Sequence, residues 1–175
     1  MDLLKVKPGS NPPHDLNVLI EIPSNSSPIK YEYDKDIGGL VVDRIQANSM
    51  FYPCNYGFVP NTLSEDGDPL DVLVVSRYPI MPGAIVNVRP VGVLDMEDDG
   101  GVDYKIIAVP SDSVCKFYSK VHDIEDVEEV LKKEIYFFFS RYKDVQDGKW
   151  TKVGDFKGKE EAQKIIEESI SNFKG

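Results

Sequence analysis

The chain has 175 residues, one domain's length, and 41% of them are hydrophobic, enough for a packed core and too many for a disordered chain. Thirty acidic residues against twenty basic ones give a formal net charge of -10, which argues against a nucleic-acid partner, since phosphate backbones are held by Lys and Arg. No stretch approaches the ~20 apolar residues of a membrane span, and residues 1–13 hold no apolar run of signal-peptide length. We therefore expect a cytoplasmic protein with no membrane contact, folded as one domain over residues 1–175.

The first two-thirds reads as strands and turns. Leu16, Val18, Ile20 and Ile22 alternate with Asn17, Leu19 and Glu21, which turns Glu21 away from the main apolar row. Ile29, Tyr31 and Tyr33 alternate in the same way and put Lys30 and Glu32 on one face. Gly38-Gly39 offers a turn into a strand over residues 40–45 that carries Arg44. Further strands are predicted over residues 70–75, 84–88 and 91–94, followed by an acidic, glycine-tipped loop over 95–101. Beyond it, Asp103, Lys105, Ile107 and Val109 share one strand face. The last third reads as helical. Val127, Val130, Leu131, Ile135, Phe138 and Tyr142 form one stripe, with Asp123 as its N-cap. A shorter helix places Ala162, Ile165, Ile166, Ser169 and Ile170 on one side. Strands followed by helices suggest a mainly β fold with α: a closed barrel with C-terminal helices against it.

The most informative segment is Asp66-Gly67-Asp68-Pro69-Leu70-Asp71-Val72, three carboxylates on a turn that enters an apolar strand. Hard divalent cations take oxygen ligands, and crowded carboxylates repel one another unless a cation or proton intervenes. Asp, Gly and Pro also make ordinary solvated turns. An EF-hand is ruled out: the required glycine at the sixth loop position is missing and Pro69 lies within the loop. Asp103 beside Lys105 reads either as a surface ion pair or as a metal ligand next to a phosphate anchor. Asp95, Glu97 and Asp99 read as a solvated hairpin tip. Lys30, Arg44, Lys105 and Lys143 are the candidate phosphate cations, and Tyr56 and Tyr142 the candidate hydroxyl donors. Cys54 and Cys115 form no CxxC pair, and His14 and His122 are the only histidines, so no zinc set is evident. Both cysteines read as reduced thiols.

The segment over residues 66–72 resembles the signature of the family I soluble inorganic pyrophosphatases. Flanking stretches are similar too: Val18-Leu19-Ile20-Glu21-Ile22-Pro23, Pro28-Ile29-Lys30-Tyr31-Glu32, Met50-Phe51-Tyr52-Pro53-Cys54-Asn55-Tyr56-Gly57, Arg89-Pro90-Val91-Gly92-Val93-Leu94, Tyr142-Lys143-Asp144 and Gly148-Lys149-Trp150. The resemblance implies an OB-type five-stranded β-barrel with flanking C-terminal helices, and Mg²⁺-dependent hydrolysis of pyrophosphate to two phosphates. It implies Asp66, Asp71 and Asp103 as principal Mg²⁺ ligands, with Asp98, Glu21 and Glu32 in a wider acidic lining. It implies Asp68 as general base, and Lys30, Arg44, Tyr56, Lys105, Tyr142 and Lys143 as substrate contacts. It also implies a homohexamer, although Phe137 and Arg141 stand where some bacterial relatives carry histidines at subunit contacts. The remaining alternative is a non-enzymatic metal-binding OB module for nucleic acid or a protein partner. The acidic balance and the lack of a basic, aromatic-interleaved stripe weigh against it.

Overall fold

The structure, a computed structural model, describes residues 2–174. Its strands are β1 (Leu16–Ile22), β2 (Ile29–Asp34), β3 (Gly39–Ile45), β4 (Asn55–Phe58), β5 (Asp71–Val74), β6 (Ile85–Asp98), β7 (Gly101–Val102), β8 (Lys105–Pro110) and β9 (Thr151–Gly158), and its helices α1 (Glu129–Arg141) and α2 (Lys159–Asn172). Five strands close a ring in the order β1-β4-β5-β8-β6 and back to β1. All ring pairings are antiparallel except β5 with β8. The expected five-stranded barrel with C-terminal helices is therefore present.

Both faces of the barrel strands are covered. Along β8, Ile106 and Ala108 join one apolar cluster and Ile107 and Val109 the other, which is why this strand reads as a continuous apolar run. The first cluster takes Ala162, Ile165 and Ile166 from α2, the side expected from the sequence. The second takes Ile135, Phe138 and Phe139 from α1. Outside the ring, β2 and β3 form a separate two-stranded sheet, joined by the Gly38 turn.

Four expectations need correction. The loop expected over residues 95–101 is mostly strand, since β6 runs to Asp98 and pairs with β7, and Asp103 lies between β7 and β8 rather than on a strand with Lys105. The strands predicted over residues 84–88 and 91–94 are one strand, β6, because a register shift between Pro90 and Gly92 accommodates the proline that suggested a break. The last third is not all helical, since β9 lies between the helices and pairs with β6. Asp123 does not cap α1. It caps a 3-10 turn over Ile124–Asp126 through a reciprocal capping box; the chain then extends at Val127, and α1 begins after Glu128. Val130 consequently falls off the apolar stripe and is 66% exposed. The strand β4 was also not anticipated. Its Gly57 is required by close packing: a Cβ there would lie 1.9 Å from the Leu19 carbonyl oxygen on β1.

Candidate active site

The barrel strands and the β2–β3 sheet wall a pocket of about 570 Å³. All thirteen candidate residues named from the sequence line it. At its base, Asp71 opens β5 and stands in register with Lys105, which opens β8, on the single parallel pair of the ring. Lys105 Nζ donates to Asp71 and, at 2.5 Å, to Asp103 Oδ1. From β4, Tyr56 Oη donates to Asp71 Oδ2 at 2.5 Å. Lys105 is 2% exposed. Burial alone would pull its pKa down, but the Asp71 and Asp103 carboxylates beside it hold it above the usual lysine range, so the ammonium stays charged.

The β2–β3 hairpin supplies the opposite wall. Lys30 Nζ contacts Glu32 and lies 3.5 Å from Asp43, which in turn holds Arg44 Nε at 2.9 Å. Glu21 on β1 is buried, and its Oε1 accepts the Tyr33 backbone N–H at 2.7 Å. The third wall comes from the segment after α1. Tyr142 stacks on Phe138 with ring centroids 5.3 Å apart, so it belongs to the core and to the pocket at once. Lys143 Nζ donates to Asp98 Oδ2 at 2.6 Å and to Asp99 Oδ1 at 3.3 Å. Asp66 and Asp68 sit on the loop before β5, where the Asp68 N–H donates to Asp66 Oδ1 at 3.1 Å and Gly67 takes φ +92°.

Sequence reasoning missed part of this network. Asp43 bridges the two hairpin cations. Asp99, expected in a solvated tip, is held by Lys143 and Lys149. Lys149 comes from a segment remote in sequence, so no local pattern could have joined them. The two cysteines form no disulfide, and burial pushes the Cys54 thiol up to about 12.

Among the described residues, no three His, Cys, Asp or Glu side chains converge as a ready metal-ligand set. The acids lean on internal cations instead: Asp71 and Asp103 on Lys105, Glu32 on Lys30, Asp98 on Lys143. The donor set nonetheless fits a hard cation. Nine carboxylates and five Lys or Arg cations line the pocket, so the cations of the chain cannot neutralise its acids. Burial accordingly raises Glu21 to about 8, with Asp71 adding to the rise against the Tyr33 hydrogen bond.

Surplus acids for a metal and fixed cations for an anion, set at one pocket of a closed barrel, define a metal-dependent phosphate enzyme as the class. Comparison with known proteins narrows that class. The family model described as "Inorganic pyrophosphatase" matches residues 18–174. The inorganic pyrophosphatase of Brucella melitensis is 53% identical over 175 residues, covering 100% of this chain and 99% of that protein. The Escherichia coli inorganic pyrophosphatase is 49% identical over 174 residues, covering 99% of each. The solved structure of the Thermus thermophilus inorganic pyrophosphatase superposes with a TM-score of 0.94 at 42% identity and full coverage of both chains. That from Coxiella burnetii gives 0.94 at 48% identity, covering 97% of this chain and 100% of the other. The chain belongs to the inorganic pyrophosphatase family, a family of hydrolases that split pyrophosphate into two phosphates.

Proposed function

We propose that Mg²⁺ is the metal of this hydrolase and that the thirteen pocket residues carry its reaction on pyrophosphate. The observation that carries the proposal is the base of the pocket, where one buried lysine, two carboxylates and a tyrosine hydroxyl meet at two adjacent strand ends. Asp66, Asp71 and Asp103 would hold Mg²⁺ most directly, and Asp98, Glu21 and Glu32 would complete the acidic lining. Bound there, Mg²⁺ would offset the charge of pyrophosphate and lower the pKa of the attacking water.

The chain's own groups supply the rest. Asp68 is exposed on its loop, and its carboxylate accepts the proton of the water during attack. Lys30, Arg44 and Lys143 ring the pocket and hold phosphate oxygens on the two sides of the scissile bond. Lys105 keeps its proton and stabilises negative charge at the base. The Tyr56 and Tyr142 hydroxyls, whose pKa burial raises, remain protonated donors. The five-stranded closed ring supports the OB-type description. No helix among the described residues is long and apolar enough to cross a membrane, and the surplus of acids weighs against nucleic acid; we place the enzyme in the cytoplasm. Residues 1–175 act as one domain, and the exposed aromatics of α1 support a homohexamer.

Phosphate release from pyrophosphate, with and without Mg²⁺, tests the proposal; turnover should require Mg²⁺, exceed that on ATP and fall sharply with Ca²⁺, whose coordination is longer and less regular. Roles within the motif separate by substitution. Asp71→Asn should weaken metal affinity, with part of the rate recovered at high Mg²⁺. Asp68→Asn should lose about 10²–10⁴-fold in rate at saturating Mg²⁺ and recover towards high pH. Equal rescue of both variants by Mg²⁺ would make Asp68 a ligand rather than the base.

A further inference from the structure

The acids of the site do not share one support. Asp71 is the first residue of β5 and is hydrogen-bonded into the sheet between β4 and β8. Asp66 and Asp68 ride on the loop over residues 59–70. Inside that loop the Ser64 N–H donates to the Asp68 carbonyl at 2.8 Å and the Gly67 N–H to the Ser64 carbonyl at 3.1 Å. These bonds make the tip a unit without fixing it to the barrel.

The link between tip and barrel is at the neck. The Thr62 hydroxyl donates to the Val59 carbonyl at 2.6 Å and accepts the Leu70 N–H at 2.9 Å. One side chain therefore joins the arm leaving β4 to the arm entering β5, one peptide before Asp71. Thr62 and Leu70 are both buried. The Leu70 N–H thus depends on that hydroxyl, since a buried donor is costly to leave unpaired. Further bonds brace the same region: the Val59 N–H to the Leu70 carbonyl at 2.9 Å, the Leu63 N–H to the Ser169 carbonyl of α2 at 2.8 Å, and Asn61 Nδ2 to the Leu3, Leu4 and Val6 carbonyls at 3.4, 3.2 and 2.9 Å. Without the Thr62 hydroxyl these bonds remain, so the loop would stay attached while the Leu70 N–H, one residue before Asp71, loses its tie to the other arm.

We infer that Thr62 is a positioning residue of the catalytic site: its hydroxyl sets the offset of Asp66 and Asp68 on the loop from Asp71 and Asp103 beside the sheet. This rests on the roles proposed above for those acids. The consequence is specific. A shift of the loop changes metal affinity through Asp66 and the proton step through Asp68, while the barrel beneath stays intact.

The test compares Thr62→Val, which keeps the shape and removes the hydroxyl, with Thr62→Ser, which keeps the hydroxyl. Mg²⁺ affinity is measured by calorimetry without substrate, and the pH–rate profile at saturating Mg²⁺. Thr62→Val should bind Mg²⁺ about tenfold more weakly, as changes behind a metal site commonly do. Its profile should also shift to higher pH, and Thr62→Ser should restore both. Ser64→Ala serves as the control in the same loop, because the Ser64 hydroxyl is buried without a hydrogen-bond partner among the described residues; it should leave both readouts unchanged. If Thr62→Val does not fold, Thr62→Cys, with its weak S–H donor, carries the comparison and should bind Mg²⁺ more weakly than both Thr62→Ser and wild type; binding equal to theirs overturns the inference. Asp66→Asn is titrated alongside. Loss of Mg²⁺ affinity in Asp66→Asn with none in the Thr62 variants overturns the inference about Thr62 alone. No loss in Asp66→Asn overturns the ligand reading on which it stands.

Discussion

Glu21 shows what burial costs an acid. It is 6% exposed, and burial, reinforced by Asp71, raises its carboxyl from 4.5 to about 8. Asp103 follows the same logic: burial raises it from 3.8 to about 6 against the pull of Lys105. In protein stripped of divalent metal, the folded state keeps protons on these groups that the unfolded chain has already released. The contribution of these two groups to stability is then fully present below their unfolded pKa values and is lost as pH rises towards 8. Thermal melts in chelator should show a declining Tm between about pH 5 and pH 8, and Glu21→Gln should flatten that decline. Added Mg²⁺ should raise Tm most at the alkaline end. An identical slope in Glu21→Gln would remove Glu21 as its source.

Among the elements, the junction at Asp123 does more than start a turn. Its Oδ1 accepts the Ile124 N–H at 2.7 Å, and its carboxylate also lies 3.3 and 3.4 Å from the Lys159 N–H at the start of α2. Asp123→Ala should lower stability by about 1–2 kcal/mol, the scale of a lost cap, while KM for pyrophosphate stays near wild type. Denaturant unfolding and steady-state kinetics check the two halves; a raised KM would show that the junction reaches the site.

The strands read from the sequence, β1, β2, β3, β5 and β8, are present although none buries in strict alternation: β1 and β8 are buried almost throughout and β2 is half-buried along its length; the buried side of α2 is also as read. Of the unanticipated strands, β7 is only two residues long, and β4 and β9 lack a local signal for physical reasons. In β4 the pattern is interrupted by Gly57, whose place is dictated by the neighbouring strand. In β9 most positions are exposed or half-buried, and only its pairing with β6 makes it a strand. The site divides in the same way. The three carboxylates over residues 66–71, and Asp103 with Lys105, stood out by spacing. Glu21, Glu32 and Asp98 were reached through family likeness, since single acids on strands carry no local mark. Asp43 and Asp99 required the folded chain.

At the scale of the whole molecule, α1 divides its aromatic run. Phe138 and Phe139 are buried in the second core, whereas Tyr136 is 46% and Phe137 63% exposed. Exposed aromatics on one helix are characteristic of contact surfaces. If α1 lies at subunit contacts of the proposed hexamer, Phe137→Glu should lower the assembly state seen by light scattering at micromolar concentration. A monomer in the wild type would defeat the hexamer itself.

The separate β2–β3 sheet divides the pocket into halves of unequal stiffness. Asp71, Asp103 and Lys105 stand on or beside a closed ring, whose amides should be among the last to exchange with deuterium. Lys30, Glu32 and Arg44 stand on a two-stranded ribbon, a form only marginally stable by itself. Its ties to the rest include the Tyr33 N–H bond to Glu21 and the 3.1 Å bond from Arg44 to Gln146. A bridging anion would add to those ties, so the ligand completes the wall that grips it. With the roles proposed for Lys30 and Arg44, part of the binding energy would be spent on quieting the ribbon, and that quieting would set the two phosphates against the stiffer half.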